Sequence, residues 1–385
     1  MFQILPFKSS PAGGGFARRA ALAALAALTL ALPATVTTSA ASAAPASAAA
    51  PVPLAAAEPV QWAALGDSYT AGVFVGDPRP ALGSPDRDGC DRTTGSYPNL
   101  VAAGLAAEPP AGRPVELTDV SCGAAVIGDI ATVRQTPISP VEPPEGGWPS
   151  VAPQVDRAEL NADTDVVTIG VGGNSLPFGK IFVSCLVAGF GQPDDATPCK
   201  DAYETGESIL DPESISDKYD RVVREYAAML RDVHQKAPDA KIVTVGYPTI
   251  VPADATTCDR QDTTELAADI KGLGRISATH GDIAWLNEVS TRFNDIIRAV
   301  TELSGDTYVD IAASSVGHDL CRPRGTKWVE GVCGEAGSYW PDEVSVGIFT
   351  LTCSDGNRAT VVHPNAAGYR NTAVQVEAAV REALT

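Results

Sequence analysis

The sequence predicts a three-layer α/β/α sandwich built on a five-stranded parallel sheet. Short apolar runs recur along the chain, rich in Val and Ile and nearly continuous rather than alternating, as in strands covered on both faces. Helical patterns fall between or after these runs, and that alternation marks a doubly wound sheet. From Glu58 onward about 330 residues remain, within range for one α/β domain with long loops.

The runs are Val60–Leu65, Val115–Val120, Asp165–Val171, Lys241–Val245 and Thr307–Ile311. Tyr97–Ala107 reads as a helix. Ser216–Lys236 reads as a second, with Tyr219, Val222, Val223, Tyr226, Met229, Leu230 and Val233 at three-and-four spacing. Thr263–Leu303 is expected to hold one or two long helices, broken near Gly281. Asn365–Leu384 closes the chain as a last helix. Three long irregular stretches interrupt the plan: Val73–Ser96, Thr132–Gln154 and Val316–Thr360. Loops of that length are usually functional or disordered, and the cysteines in or beside them favour order.

The N-terminus has the pattern of an export leader. Lys8, Arg18 and Arg19 precede an uncharged Ala/Leu run from Ala20 to Leu32, too short to span a bilayer but right for a signal peptide. Ala41-Ser42-Ala43 and Ala46-Ser47-Ala48 offer cleavage sites. The organisation expected is a signal peptide over 1–43, an Ala/Pro-rich linker over 44–57 and a single domain over 58–385. That makes the protein secreted and extracellular, with no stable membrane anchor, and we expect a monomer. A formal net charge of −19 repels phosphate backbones and argues against nucleic acid as a partner.

Eight cysteines, at 90, 122, 185, 199, 258, 321, 333 and 353, suit an exported, disulfide-bonded chain. None has zinc-ligand spacing, so no metal is expected. Spacing alone leaves the pairing open. The simplest arrangement without nesting joins Cys90–Cys122, Cys185–Cys199, Cys258–Cys321 and Cys333–Cys353.

In an open parallel sheet, ligands bind at the carboxyl ends of the strands. Gly66-Asp67-Ser68 follows the first strand, Ser121-Cys122-Gly123 the second and Gly172-Gly173-Asn174 the third. His363-Pro364-Asn365 precedes the last helix. Each has an ordinary explanation as a turn, a loop or a helix start. Together they place a Ser, a Gly, an Asn and a His at consecutive sheet-edge positions, an arrangement that is hard to reach by chance. The GxSxG elbow is absent. Asp67 reads as a turn-stabilising residue. His234 and His280 read as solvated, and His318 as structural.

Here the chain resembles the SGNH/GDSL hydrolases, and most of all their secreted actinobacterial esterase and lipase branch. The matching words are ALGDSYTAG, GCDRTTGSYPNLVA, TDVSCGAA, VTIGVGGNS, GHDLC followed by KWV, and HPNAAGY, spread over residues 60–369. The resemblance implies a flavodoxin-like sandwich with disulfide-clamped loops, Ser68 as nucleophile and His363 as general base. It implies an oxyanion hole from the Ser68 N–H, the Gly123 N–H and the Asn174 amide. It also implies the first three cysteine pairs above. No cofactor is implied. The substrate would be a lipid-type or other acyl ester, cleaved through an acyl-enzyme.

The chemistry needs these residue types. A serine hydroxyl is a weak nucleophile until a base takes its proton, and a histidine with a pKa near ~6.5 suits that task. Each donor aimed at the developing oxyanion stabilises the transition state by roughly 3–4 kcal/mol.

The chain departs from the family at two positions. Thr360 stands three residues before His363, where many members carry Asp, and Ser175 follows Asn174, where Asp is common. The resemblance therefore implies a Ser–His dyad with a main-chain carbonyl, that of Trp328, orienting the ring. A carboxylate from Asp355 or Asp319 is the alternative. An acyltransferase or a carbohydrate acetyl esterase would share the same residues. A non-catalytic binding module is disfavoured by the intact set.

Overall fold

A computed structural model describes residues 57–208, 211–346 and 348–385. The leader and nearly all of the linker lie outside the described residues. The central strands are β1 (Val60–Gly66), β2 (Val115–Asp119), β3 (Val166–Gly170), β4 (Lys241–Val245) and, after two further strands described below, β7 (Thr307–Val309). They form one parallel sheet in the order β2-β1-β3-β4-β7. Each falls on a predicted apolar run.

Side-chain alternation along β1 separates two cores. Trp62 and Ala64 pack with helices α2 (Tyr97–Ala107) and α10 (Ala366–Ala383). Ala63 and Leu65 pack into a larger core with α3 (Ile127–Ala131), α5 (Phe178–Ala188), α7 (Ile215–Lys236) and α8 (His280–Leu303). Short helices α1 (Ser68–Ala71), α4 (Gln154–Arg157), α6 (Pro198–Thr205) and α9 (Ile311–Ser314) complete the set. Capping residues start the long helices: Ser96, Ser214, Thr279 and Asn365 each accept a main-chain N–H of the first turn. The sheet order reverses between β1 and β3, the switch point where such sheets bind ligands.

The expected helix over Thr263–Leu303 is corrected. Its first part is a hairpin, β5 (Ala267–Ile270) and β6 (Gly274–Ser277), turned through Gly272 and Gly274 at φ 79° and 90°. Helix α8 starts at His280, and Gly281 lies in its first turn rather than at a break. The hairpin is held by non-local pairing. Strand β10 (Phe349–Thr352) pairs with β5, and β9 (Glu343–Val346) with β10, giving an antiparallel sheet β6-β5-β10-β9. Strands β8 (Cys333–Gly334) and β11 (Arg358–Ala359) add a small ribbon. Strands β8 to β11 thus order part of what reads as loop between Val316 and Thr360.

Four disulfides join Cys90–Cys122, Cys185–Cys199, Cys258–Cys321 and Cys333–Cys353, the sequential arrangement. Among the described residues no helix is long and apolar enough to cross a membrane.

Candidate active site

The turn after β1 is built around a glycine that tolerates no side chain. Gly66 has φ 156°, and a Cβ there would lie 2.5 Å from the Gly170 carbonyl oxygen. Its main chain is gripped by Gln154, whose Oε1 accepts the Gly66 N–H at 2.7 Å and whose Nε2 donates to the Gly66 carbonyl at 2.8 Å. Asp67 caps α1 by accepting the Tyr69 N–H at 2.9 Å. Ser68 follows as the first helical residue, its carbonyl accepting the Tyr369 hydroxyl at 3.1 Å.

Ser68 Oγ lies 2.7 Å from His363 Nε2. On the other side of the ring, Nδ1 lies 2.9 Å from the carbonyl oxygens of both Thr360 and Val361. Only an Nδ1–H tautomer can donate to these acceptors, so Nε2 presents its lone pair to the serine. Burial lowers the His363 pKa below its ordinary 6.5, against the pull of the two carbonyls.

This geometry corrects the Trp328 expectation. The Trp328 carbonyl accepts the Asn365 N–H at 2.9 Å and is occupied in starting the last helix. The orienting oxygens come from within the histidine's own turn. Val361 and Val362 both adopt left-handed backbone, φ 41° and 57°, which costs a β-branched residue about 1–2 kcal/mol. The turn directs two carbonyls at the ring, and the Tyr69 hydroxyl donates to the Val362 carbonyl to hold it. The Thr360 hydroxyl donates to the Gly331 carbonyl at 3.0 Å. Asp319 is engaged by Arg322 and Asp355 by Ser354, and among the described residues no carboxylate bonds to His363. His318 is structural: its ring stacks on Trp328 at 3.5 Å and Nδ1 meets the Thr326 carbonyl.

The expected oxyanion donors fare differently from one another. The Ser68 N–H and one Asn174 amide hydrogen have no acceptor among the described residues, the other donating to the Ala125 carbonyl at 3.0 Å. The Gly123 N–H, by contrast, donates to the Cys90 carbonyl at 2.9 Å and is not free. The next residue, Ala124, has φ 63° and lines the same cavity, and its N–H has no acceptor among the described residues. Ser175 accepts the Ile127 N–H at 2.9 Å, tying the Asn174 loop to α3. That is an uncharged substitute for the common Asp.

Ser68, Ala124, Asn174 and His363 open onto one cavity of about 810 Å³. Its walls come from all three long stretches: Val73 and Phe74, then Ile138 and Pro140, then Trp340, Val344 and Val346. Phe178, Ile250 and Phe293 complete a mostly apolar lining. Sequence reasoning missed Gln154, Tyr69 and Tyr247, which act through contacts distant in sequence. Tyr247 lies against Asp67, whose carboxyl burial raises to about 7 in spite of the hydrogen bonds it accepts.

Residues 64–370 match the model of the GDSL-like Lipase/Acylhydrolase family. The chain is 32% identical over 317 residues to Lipase 2 of Streptomyces coelicolor, covering 82% of this chain and 83% of that one. It is 29% identical over 273 residues to an esterase of Streptomyces scabiei, covering 66% and 71%. Among solved structures, the phospholipase A1 from Streptomyces albidoflavus NA297 has the same fold, with a TM-score of 0.50 at 23% identity over 84% of this chain and 99% of that one.

Proposed function

Because this chain belongs to the GDSL-like lipase/acylhydrolase family and is a carboxylic ester hydrolase, we propose that it cleaves esters of apolar acyl chains through an acyl-enzyme on Ser68. The observation that carries this reading is the 2.7 Å contact between Ser68 Oγ and His363 Nε2 at the wall of an apolar cavity. His363 takes the serine proton as Oγ attacks the ester carbonyl carbon. The C–O bond to the alcohol then breaks, and the same proton passes to the leaving oxygen. Water, deprotonated by His363, then attacks the acyl carbon, the bond from that carbon to Ser68 Oγ breaks, and His363 returns the proton to Oγ as the acid leaves.

The oxyanion donors in this reading are the Ser68 N–H, the Asn174 amide and the Ala124 N–H in place of Gly123. Two neutral carbonyls orient the imidazole where many relatives have an acid, so the working unit is a dyad. The size and apolarity of the cavity favour longer acyl chains over acetyl groups. The four disulfides suit an oxidising compartment, and with the leader pattern they support an enzyme that acts outside the cell.

The test is a panel of p-nitrophenyl esters of increasing chain length. Wild type is expected to prefer medium or long chains, and Ser68→Ala to lose at least ~10⁴-fold in kcat. A Ser68→Ala variant that turns over any of these esters at the wild-type rate refutes the reading. Addition of a competing alcohol to the same assay shows whether acyl transfer accompanies hydrolysis.

A further inference from the structure

Between the nucleophile turn and the Asn174 loop lies a buried phenol that the chemistry above does not use. Tyr247 stands just beyond β4, and its main chain is fixed twice by Asn294 of α8. Its N–H donates to Asn294 Oδ1 at 2.9 Å, and its carbonyl accepts from Nδ2 at 3.0 Å. The ring packs on Tyr69 and Phe293, with centroids 5.0 and 5.4 Å away.

The hydroxyl accepts the Gly173 N–H at 2.8 Å and donates to Asp67 Oδ2. A phenol has one proton. With Gly173 donating to its oxygen, that proton is directed at the Asp67 carboxylate. Burial keeps the phenol protonated well above its ordinary range. Gly173 itself is shaped for the contact, because a Cβ there would lie 3.1 Å from the Tyr247 ring.

The tie joins the residue before Ser68 to the residue before Asn174. Those two residues supply oxyanion donors from separate strands, β1 and β3. We propose that Tyr247 is a positioning residue of the oxyanion hole, its hydroxyl setting the separation between the Ser68 and Asn174 donors. The inference rests on the acyl-enzyme reading above. It assigns Tyr247 no contact with substrate. A displacement of about 1 Å in such a donor is enough to cost ~10²-fold in rate.

The test is Tyr247→Phe, which keeps the ring and its packing and removes the tie. The expected result is a fall in kcat of roughly 10- to 100-fold with KM little changed. An alkylboronic acid, which mimics the tetrahedral adduct on Ser68, should bind more weakly by a similar factor. A non-hydrolysable ether of the same chain length should bind as before. Asn174→Ala should cost much less in the Tyr247→Phe background than in wild type, because the two changes disable one device.

Asp67→Asn is the second variant, should the first fold poorly. It weakens the other end of the tie and should lower kcat and boronate affinity together. Wild-type kcat in either folded variant overturns the proposal, as do losses that multiply in the double variant. Turnover by Ser68→Ala at the wild-type rate in the same assay overturns the acyl-enzyme reading itself, and this proposal with it.

Discussion

At the scale of single residues, His363, the proposed base, and its support differ from a carboxylate-backed triad. A carboxylate would raise the imidazole pKa, whereas here burial lowers it below 6.5 against two neutral carbonyls. Lowering a histidine pKa extends the neutral, basic form to lower pH. The acid limb of kcat/KM on a soluble ester should therefore lie below pH 6.5, with the rate level just above it. A limb centred at 7 or higher would contradict the dyad geometry. The same geometry predicts that an acid cannot be restored at the customary position. Thr360 is 1% exposed, and its hydroxyl meets the Gly331 and Val332 carbonyls. Thr360→Asp would bury a carboxylate against acceptors, so stability at neutral pH should fall by several kcal/mol. No gain in kcat should follow. Thermal melts beside initial rates check both halves, and a faster or equally stable variant would refute them.

At the scale of elements, what the sequence disclosed follows from how local each signal is. The five sheet strands were legible because doubly covered strands are continuous apolar runs. The hairpin at 267–277 was not. Its Ala-, Leu- and Glu-containing approach has helical propensity, and its pairing partner, Leu351 against Ile270, lies far along the chain. Gly272 and Gly274 were the available signal. The site divides in the same way. Ser68 and Asn174 sit in recognisable words after β1 and β3, and His363 in one before the last helix. The oxygens at His363 Nδ1 belong to the main chain of Thr360 and Val361, which carries no residue identity, so the sequence pointed instead to Trp328. Gln154 was hidden because its partner is main chain 88 positions away. Replacing it measures its worth. Gln154→Ala leaves the buried Gly66 N–H without an acceptor, while the Gly66 carbonyl keeps the Cys122 N–H at 3.0 Å. The cost should be about 1–3 kcal/mol, with kcat lowered as well because Gly66 begins the nucleophile turn. Denaturant melts of a folded variant check this, and an unchanged midpoint would count against it.

At the scale of the whole molecule, the parallel sheet and the turn before the last helix carry the proposed reactive residues, and the three long stretches supply much of the cavity wall. Three of the four disulfides have at least one cysteine in these stretches. The bridges are not equivalent in this scheme. Cys90–Cys122 fastens the first long loop to the exit of β2, where the Gly123 N–H meets the Cys90 carbonyl and Ala124 turns toward left-handed backbone. Cys185–Cys199 joins α5 to α6, and neither cysteine lines the cavity. Loop closure over 32 and 14 residues sets similar losses on removal, about 3–4 and ~3 kcal/mol. Double Cys→Ser variants should therefore lose comparable thermal stability. Their kinetics should diverge. Loss of Cys90–Cys122 frees the turn that bears the Ala124 donor and should lower kcat, whereas loss of Cys185–Cys199 should leave kcat near wild type at temperatures where both remain folded. Equal effects on kcat would mean that the first bridge stabilises the fold without shaping the oxyanion hole.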